Sequence, residues 1–215
     1  MAEVRPWQTV VVVGLIAAGA AALISASWNF GRDRIAANER AKRLASLTSV
    51  LDTRHLGGDV NPVLIEVTDA KLLGTKDPVD VFVPLRGDKP LAAVFATVAP
   101  KGYNAPIALL VGIDADTGAV TGVRAIGYRE TPGLGDRIDV RKSDWIRQFD
   151  GRSLASPDAA GWNVRQEGGD FDAITGATVT SKAVIEAVHD TLLYFAGNRD
   201  ALFAKAIAAA SRPEP

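Results

Sequence analysis

The rhythm of hydrophobic and polar positions changes three times along the chain. From Pro6 to Phe30 no charged residue occurs. At about 1.5 Å of rise per residue, some 20 helical residues cross a hydrocarbon layer about 30 Å thick, so this run predicts one transmembrane helix. Trp7 and Trp28 stand near its two ends, where interfacial aromatics gather. Gly14, Ala18 and Ala22 repeat every four positions, a stripe that permits close approach of another membrane helix and that an alanine-rich span also carries by chance. A cleavable signal peptide cut near Ser25-Ala26-Ser27 is the competing reading. The apolar core exceeds the usual ~7–15 residues and Glu3 nearly offsets Arg5, which favours a retained anchor.

Beyond the span the pattern becomes helical and amphipathic over 31–52, with Ile35, Leu44, Leu47, Val50 and Leu51 on one partly apolar face, as in a juxtamembrane stalk. From about Val60 the period shortens to two. Val79, Val81 and Val83 alternate with polar positions, Gly87-Asp88 supplies a turn, and Leu91–Val98 follows. Ile107–Ile113 and Val120–Ile126 flank Asp114-Ala115-Asp116-Thr117-Gly118, a hairpin turn with glycine available for positive φ. These are antiparallel meanders, and no strand–helix–strand crossover is visible. Lys182–Phe195 then reads as a helix with Val184, Ala187, Val188, Thr191 and Phe195 on one face. Thr180 or Ser181 is its expected N-cap and Gly197-Asn198 its stop. The expected class is α+β: residues 1–30 as tail and transmembrane helix, 31–52 as stalk, 53–200 as one domain of antiparallel strands with flanking helices, and 201–215 as a helical tail.

Composition narrows the chemistry. Lys and Arg number 24 against 25 Asp and Glu, without the basic excess of a nucleic-acid binder. The chain has no cysteine, which excludes disulfides, thiolate metal sites, iron–sulfur clusters and cysteine nucleophiles. Its two histidines, His55 and His189, lie far apart with no acidic cluster around either, so ordinary surface or core roles are expected of both. Arg32, Arg34, Arg40, Lys42 and Arg43 follow the span while Arg5 alone precedes it; by the positive-inside tendency the main domain would be cytoplasmic.

Two loops carry candidate chemistry. Thr175-Gly176-Ala177-Thr178 feeds a helix N-terminus, where unpaired amides and the helix dipole favour a phosphate. Thr175, Thr178, Thr180 and Ser181 crowd hydroxyls there, and Gly176 and Ala177 leave the backbone approachable; taken alone, the same residues also suit simple capping. The second loop, Glu130-Thr131-Pro132-Gly133-Leu134-Gly135-Asp136, frames one leucine between glycines, either as a ligand contact or as a turn carrying Leu134 into the core. Neither loop is a nucleotide P-loop, and no dinucleotide fingerprint follows a strand.

The two loops, in this order behind one apolar span, resemble the FMN-binding G subunits of Rnf ion-translocating electron-transport complexes. They are also similar to the C subunits of sodium-translocating NADH:quinone reductases. The resemblance covers the anchor, Gly102-Tyr103 and Ile107, the Glu130–Asp136 loop, Trp145, and Asp172–Ser181. Asp172-Ala173-Ile174-Thr175-Gly176-Ala177-Thr178 looks like the sequence read by that family's flavin transferase, with threonine at 175 where serine is common. The resemblance implies FMN attached to Thr178 through a phosphodiester, with Glu130, Thr131 and Leu134 contacting the isoalloxazine ring. It also implies a bacterial inner-membrane complex with other membrane and redox subunits as partners, no nucleic acid, and a main domain on the periplasmic side, against the charge count.

Within this resemblance the absence of a large insertion favours the Rnf type over the reductase type. A membrane-anchored regulatory protein that carries flavin outside a pump, and an assembly protein with no cofactor, are the readings of another class.

Overall fold

The computed structural model describes residues 60–211, together with Val50, Leu51 and the isolated Ala17. The expected transmembrane span, most of the stalk, His55 and the last four residues lie outside the described residues. Among the described residues no helix is long and apolar enough to cross a membrane.

The period-two segments form strands β1 (Asn61–Val67), β2 (Val79–Arg86), β3 (Lys89–Pro90), β4 (Ala92–Ala99), β5 (Ile107–Asp114) and β6 (Val120–Gly127). They build one sheet in the order β1-β2-β4-β5-β6, with the short β3 pairing β2. Every pairing is antiparallel, as expected of strands joined by short turns. The β5–β6 turn is fastened by the Asp114 carboxylate, which accepts from Asp116 N, Thr117 N and the Thr117 hydroxyl.

Alternation decides which face is buried. Val79, Val81 and Val83 of β2 are 2% exposed or less, as are Ala93, Phe95 and Ala99 of β4. Over this face lies helix α1 (Thr178–Ala210). Phe95 meets Tyr194 and Phe195 edge-on, with ring centroids 5.9 and 6.3 Å apart, a favourable aromatic geometry. The expected apolar face is buried throughout, with Val184, Ala187, Val188, Thr191 and Phe195 all inside.

Both expected helix ends are displaced. Neither Thr180 nor Ser181 is the N-cap; that position is Ala177, with no side-chain cap hydrogen bond, and both hydroxyl residues sit inside the first turns. Nor does the helix stop at Gly197-Asn198. It runs on to Ala210, so Ala201 onward continues the same helix. A mid-helix glycine costs about 1 kcal/mol. Burial of Leu202, Phe203 and Ala206 in the sheet-facing core outweighs it, at about 1.5–3 kcal/mol for each large apolar side chain. Asn198 caps nothing and donates back to the Tyr194 carbonyl at 3.0 Å, while the Lys205 ammonium reaches the Glu66 carbonyl in β1.

The expected flanking helices are α1 and, between β6 and α1, four short 3-10 turns at Gly135–Ile138, Asp144–Phe149, Ala159–Gly161 and Arg165–Glu167. Aromatic contacts hold this stretch to the core. Phe149 stacks on Phe171 at 5.0 Å, Trp162 packs on Phe171 at 4.9 Å, and His189 lies parallel to Trp162 at 5.1 Å. Burial lowers the His189 pKa below its usual value. Val50 and Leu51, expected at the end of the stalk helix, form a turn and a bend.

Candidate functional site

The two loops singled out in the sequence come together at the N-terminus of α1. Glu130, at the end of the segment leaving β6, is 7% exposed. Its Oε2 accepts from the Thr180 hydroxyl at 2.7 Å, which ties the first loop to the first turn of the helix. Its Oε1 is buried and has no hydrogen-bond partner. A buried carboxylate oxygen left open is costly unless something donates to it. Among the described residues it is the only buried side-chain oxygen without a partner, an acceptor that an N–H or O–H donor would satisfy.

Leu134 does not enter the core. It is 41% exposed and lies over Gly176, where an added Cβ would stand 3.1 Å from Leu134 Cδ2. Gly176 also has φ +78°, a left-handed conformation that other residues adopt only with strain. Glycine thus lets the chain turn into α1 directly beneath the leucine. At Gly135 a Cβ would meet Glu130 Oε2 at 2.6 Å, so the carboxylate occupies room that only a glycine leaves.

Between the loops opens a cleft of about 520 Å³, lined by Tyr103, Glu130, Thr131, Leu134, Gly135, Gly176, Ala177, Thr178, Val179 and Thr180. Seven of the nine candidate residues thus line one cavity. The other two, Thr175 and Ser181, do not. Thr175 is exposed outside the lining. Ser181 is fully buried; its hydroxyl accepts from Ile174 N at 2.9 Å and donates to the Ala177 carbonyl at 3.0 Å, which braces the loop from behind. Tyr103, Gly135 and Val179 were missed as lining residues. Tyr103 and Val179 are 65% and 53% exposed, and large apolar side chains at such exposure beside a helix N-terminus are the signal that marks them.

The loop is stapled from below by two buried carboxylates. Asp136 accepts from Gly133 N at 2.8 Å and from the Lys142 ammonium. Asp139 accepts from the Arg141 guanidinium and from the Tyr128 hydroxyl at 2.8 Å. Hydrogen bonding from Lys142 holds Asp136 below the usual carboxylate pKa, and hydrogen bonding from Arg141 holds Asp139 well below it. On the far side, Trp145 Nε1 donates to the Asp172 carbonyl at 2.6 Å, and Gln148 Oε1 accepts from Asp172 N at 2.8 Å. The segment leading to Thr178 is therefore pinned at its start as well as at Ser181.

Chemically, this is a cleft with three kinds of contact. Thr178, the first residue of α1, is half-buried at its edge. Amides of the first helical turn have no partner within the helix, and here no side chain caps them, which leaves them free for an anion with the dipole in its favour. Tyr103, Leu134 and Val179 offer apolar surface to a flat ring, and Glu130 Oε1 offers one buried acceptor. A phosphate on an aromatic heterocycle with a ring N–H, as in FMN, matches all three.

Comparison with known proteins agrees. The FMN-binding domain family matches residues 102–193, which contain the whole cleft. The chain is 38% identical over 192 residues to the G subunit of the ion-translocating oxidoreductase complex of Shewanella loihica, covering 89% of this chain and 90% of that protein. It is 39% identical over 197 residues to the protein of the same name in Pseudomonas aeruginosa, covering 92% of each. The crystal structure of Shewanella oneidensis NqrC aligns over 69% of this chain and 84% of that one, at 22% identity and a TM-score of 0.48, and adds no functional weight. With relatives at this identity over nearly its whole length, the chain belongs to the family of G subunits of ion-translocating oxidoreductase complexes.

Proposed function

We propose that this chain is an electron-carrying component of a membrane oxidoreductase complex that couples electron transfer to ion translocation, with FMN joined to Thr178 through a phosphodiester. One observation carries the reading: Thr178 opens an uncapped helix on the edge of a cleft that is also lined by Glu130, whose carboxylate keeps one buried oxygen with no partner. An esterified phosphate keeps one negative charge, and at Thr178 that charge would sit in the favourable field of the α1 N-terminus. Thr178, Gly176 and Ala177 would hold the phosphate end of the group. Glu130, Thr131 and Leu134, joined by Tyr103, would hold the ring end. Thr180 fixes the Glu130 carboxylate at the first turn of α1, while Thr175 and Ser181 shape the loop.

When bound, FMN supplies the ability to take up two electrons and release them one at a time; the protein contributes position and electrostatics. A covalent tether keeps such a group from being lost where free FMN is scarce. That fits a domain on the periplasmic side of a bacterial inner membrane, where a flavin transferase would act on Asp172–Thr178. The uncharged run Pro6–Phe30 supports a single-pass anchor. Other membrane and redox subunits would pass electrons to and from the flavin, since the chain has no dinucleotide fingerprint of its own.

Expression of the full chain with and without a flavin transferase, followed by a denaturing gel under ultraviolet light, tests this. A fluorescent band that requires the transferase and disappears in Thr178→Ala is expected. An unmodified chain beside an active transferase would instead favour an assembly protein without cofactor.

A further inference from the structure

Tyr103 reaches the cleft from the β4–β5 connection, 100–106, and is 65% exposed there. The turn that presents it is closely built. Pro100 and Pro106 stand at its two ends and fix φ at both. Among the described residues no backbone hydrogen bond joins one member of the turn to another, so packing has to hold it. Gly102 supplies that packing. Its φ is not positive, so backbone conformation does not demand glycine. Space does. A Cβ there would stand 2.1 Å from the Ala105 carbonyl oxygen and 2.9 Å from Cγ1 of Ile107, and Ile107 is fully buried in the core. The Lys101 ammonium also donates to Glu186 Oε1 of α1 at 2.6 Å. Both of these side chains are exposed, and such a pair orients the turn more than it stabilises the fold.

We propose that Tyr103 is the stacking platform for the flavin ring, and that Gly102 is the positioning residue that holds this platform at the cleft. The proposal rests on FMN being carried by Thr178. A phosphodiester fixes only one end of that group, and the flexible chain between phosphate and ring leaves the ring free to swing. The ring's position therefore needs a contact of its own. Of the residues that line the cleft, Tyr103 alone is aromatic, and offset stacking of flat rings is favourable beyond the apolar area it covers. Leu134 and Val179 supply apolar surface without a flat face. A contact side chain fixes its ligand only when the groups behind it fix the side chain. Gly102 does this for Tyr103, because only a glycine lets the Ala105 carbonyl and the Ile107 side chain close against the turn.

Stacking has an optical consequence. A phenol in contact with photoexcited flavin passes it one electron, which returns without emission, so both groups end unchanged and the fluorescence is quenched. The full chain, made with a flavin transferase, is read first native and then in urea, where a covalent flavin stays attached but loses the contact. Emission is expected to rise several-fold on unfolding. At equal flavin content on a denaturing gel, native Tyr103→Leu should be several-fold brighter than the parent. Tyr103→Trp, which keeps a flat electron donor, should stay dark. Gly102→Ala should brighten the native protein although Tyr103 is still present. Gly118→Ala is the control: it places a side chain at φ +68° with open space around it, at the other end of β5. It should lower stability and leave the quenching unchanged. Where Gly102→Ala does not fold, Lys101→Met takes its place and should brighten the protein partly. Native Tyr103→Leu as dark as the parent overturns the platform, and position-102 and position-101 variants as dark as the parent overturn the positioning role. A chain with no flavin on the gel defeats the Thr178 reading, and this proposal with it, before any emission is compared.

Discussion

Glu130 and Thr180 share a buried 2.7 Å hydrogen bond across 50 positions of sequence, and through it the strand side of the cleft is joined to the first turn of α1. The bond satisfies one carboxylate oxygen and leaves the other open, so it holds the wall of the cleft and keeps one buried acceptor without a partner. Thr180→Val should lower stability by about 1–3 kcal/mol, because it strands a buried acceptor. Glu130→Leu combined with Thr180→Val should restore much of that loss while abolishing flavin retention, since both polar partners are then gone. Urea unfolding of the two variants checks this; equal losses in single and double variants would contradict it.

Gly176 is the point at which backbone and side-chain demands coincide. Gly176→Ala has to adopt φ near +78° and places a methyl 3.1 Å from Leu134. A loss of about 1 kcal/mol or more is expected, with a smaller fraction of the chain flavinylated. Leu134→Ala in the same background should recover part of the stability by vacating the contact. Thermal denaturation with quantified flavin fluorescence reads both effects.

Trp145→Phe removes the donor to the Asp172 carbonyl and keeps the edge-on contact with Phe149. Loss of that bond costs about 0.5–1.5 kcal/mol. Its effect should be local: amide hydrogen exchange is expected to quicken over 172–177 and to stay unchanged in β4 and β5. Faster exchange spread evenly over the sheet would place the role of Trp145 in the core instead.

Acid should weaken the Glu130–Asp136 loop before the sheet. The folded-state pKa values of Asp136 and Asp139 lie below their ordinary value of 3.8. A depressed carboxyl contributes stability that is complete above the unfolded pKa and is lost as pH falls towards the folded one. Stability should therefore be flat near neutrality and decline below about pH 5. Asp139→Asn should be less stable at pH 7 and show a shallower decline. Unfolding curves from pH 7 to 3 measure the slope, and an unchanged slope in the variant would count against the assignment.

Phe203 tests the continuation of α1 past Gly197. It is 9% exposed and meets Phe195 edge-on at 5.8 Å. Phe203→Ala should cost about 3–5 kcal/mol if the helix end is part of the core. A change within about 0.5 kcal/mol, typical of surface sites, would return 201–210 to the status of a tail.

What could be read in the sequence and what could not divide along physical lines. Strands β2, β4, β5 and β6 were legible because alternation and turn glycines are local signals, and the buried stripe Val184–Phe195 followed from helical spacing. The Asp172–Thr178 run and the Glu130–Asp136 loop stood out by composition. The helix stop at Gly197 was misplaced because the preference of one glycine is weaker than the burial of Leu202 and Phe203, which depends on a sheet whose last strand ends at Gly127. The 3-10 stretch between β6 and α1 left no periodic trace; it is held by contacts such as Trp145 to Asp172 and Phe149 to Phe171, which no spacing encodes. Tyr103 was visible as part of the family resemblance, but its place on the cleft depends on the β4–β5 connection meeting the first turn of α1.

The central claim is that Thr178 carries the flavin, and one peptide decides it. Trypsin should release Gln166–Lys182, which holds Thr175, Thr178, Thr180 and Ser181 together. Fragmentation of this peptide from chain made with the transferase should show the mass of one FMN less water on Thr178 alone. An unmodified peptide, or the added mass on Thr175, Thr180 or Ser181, would contradict the account.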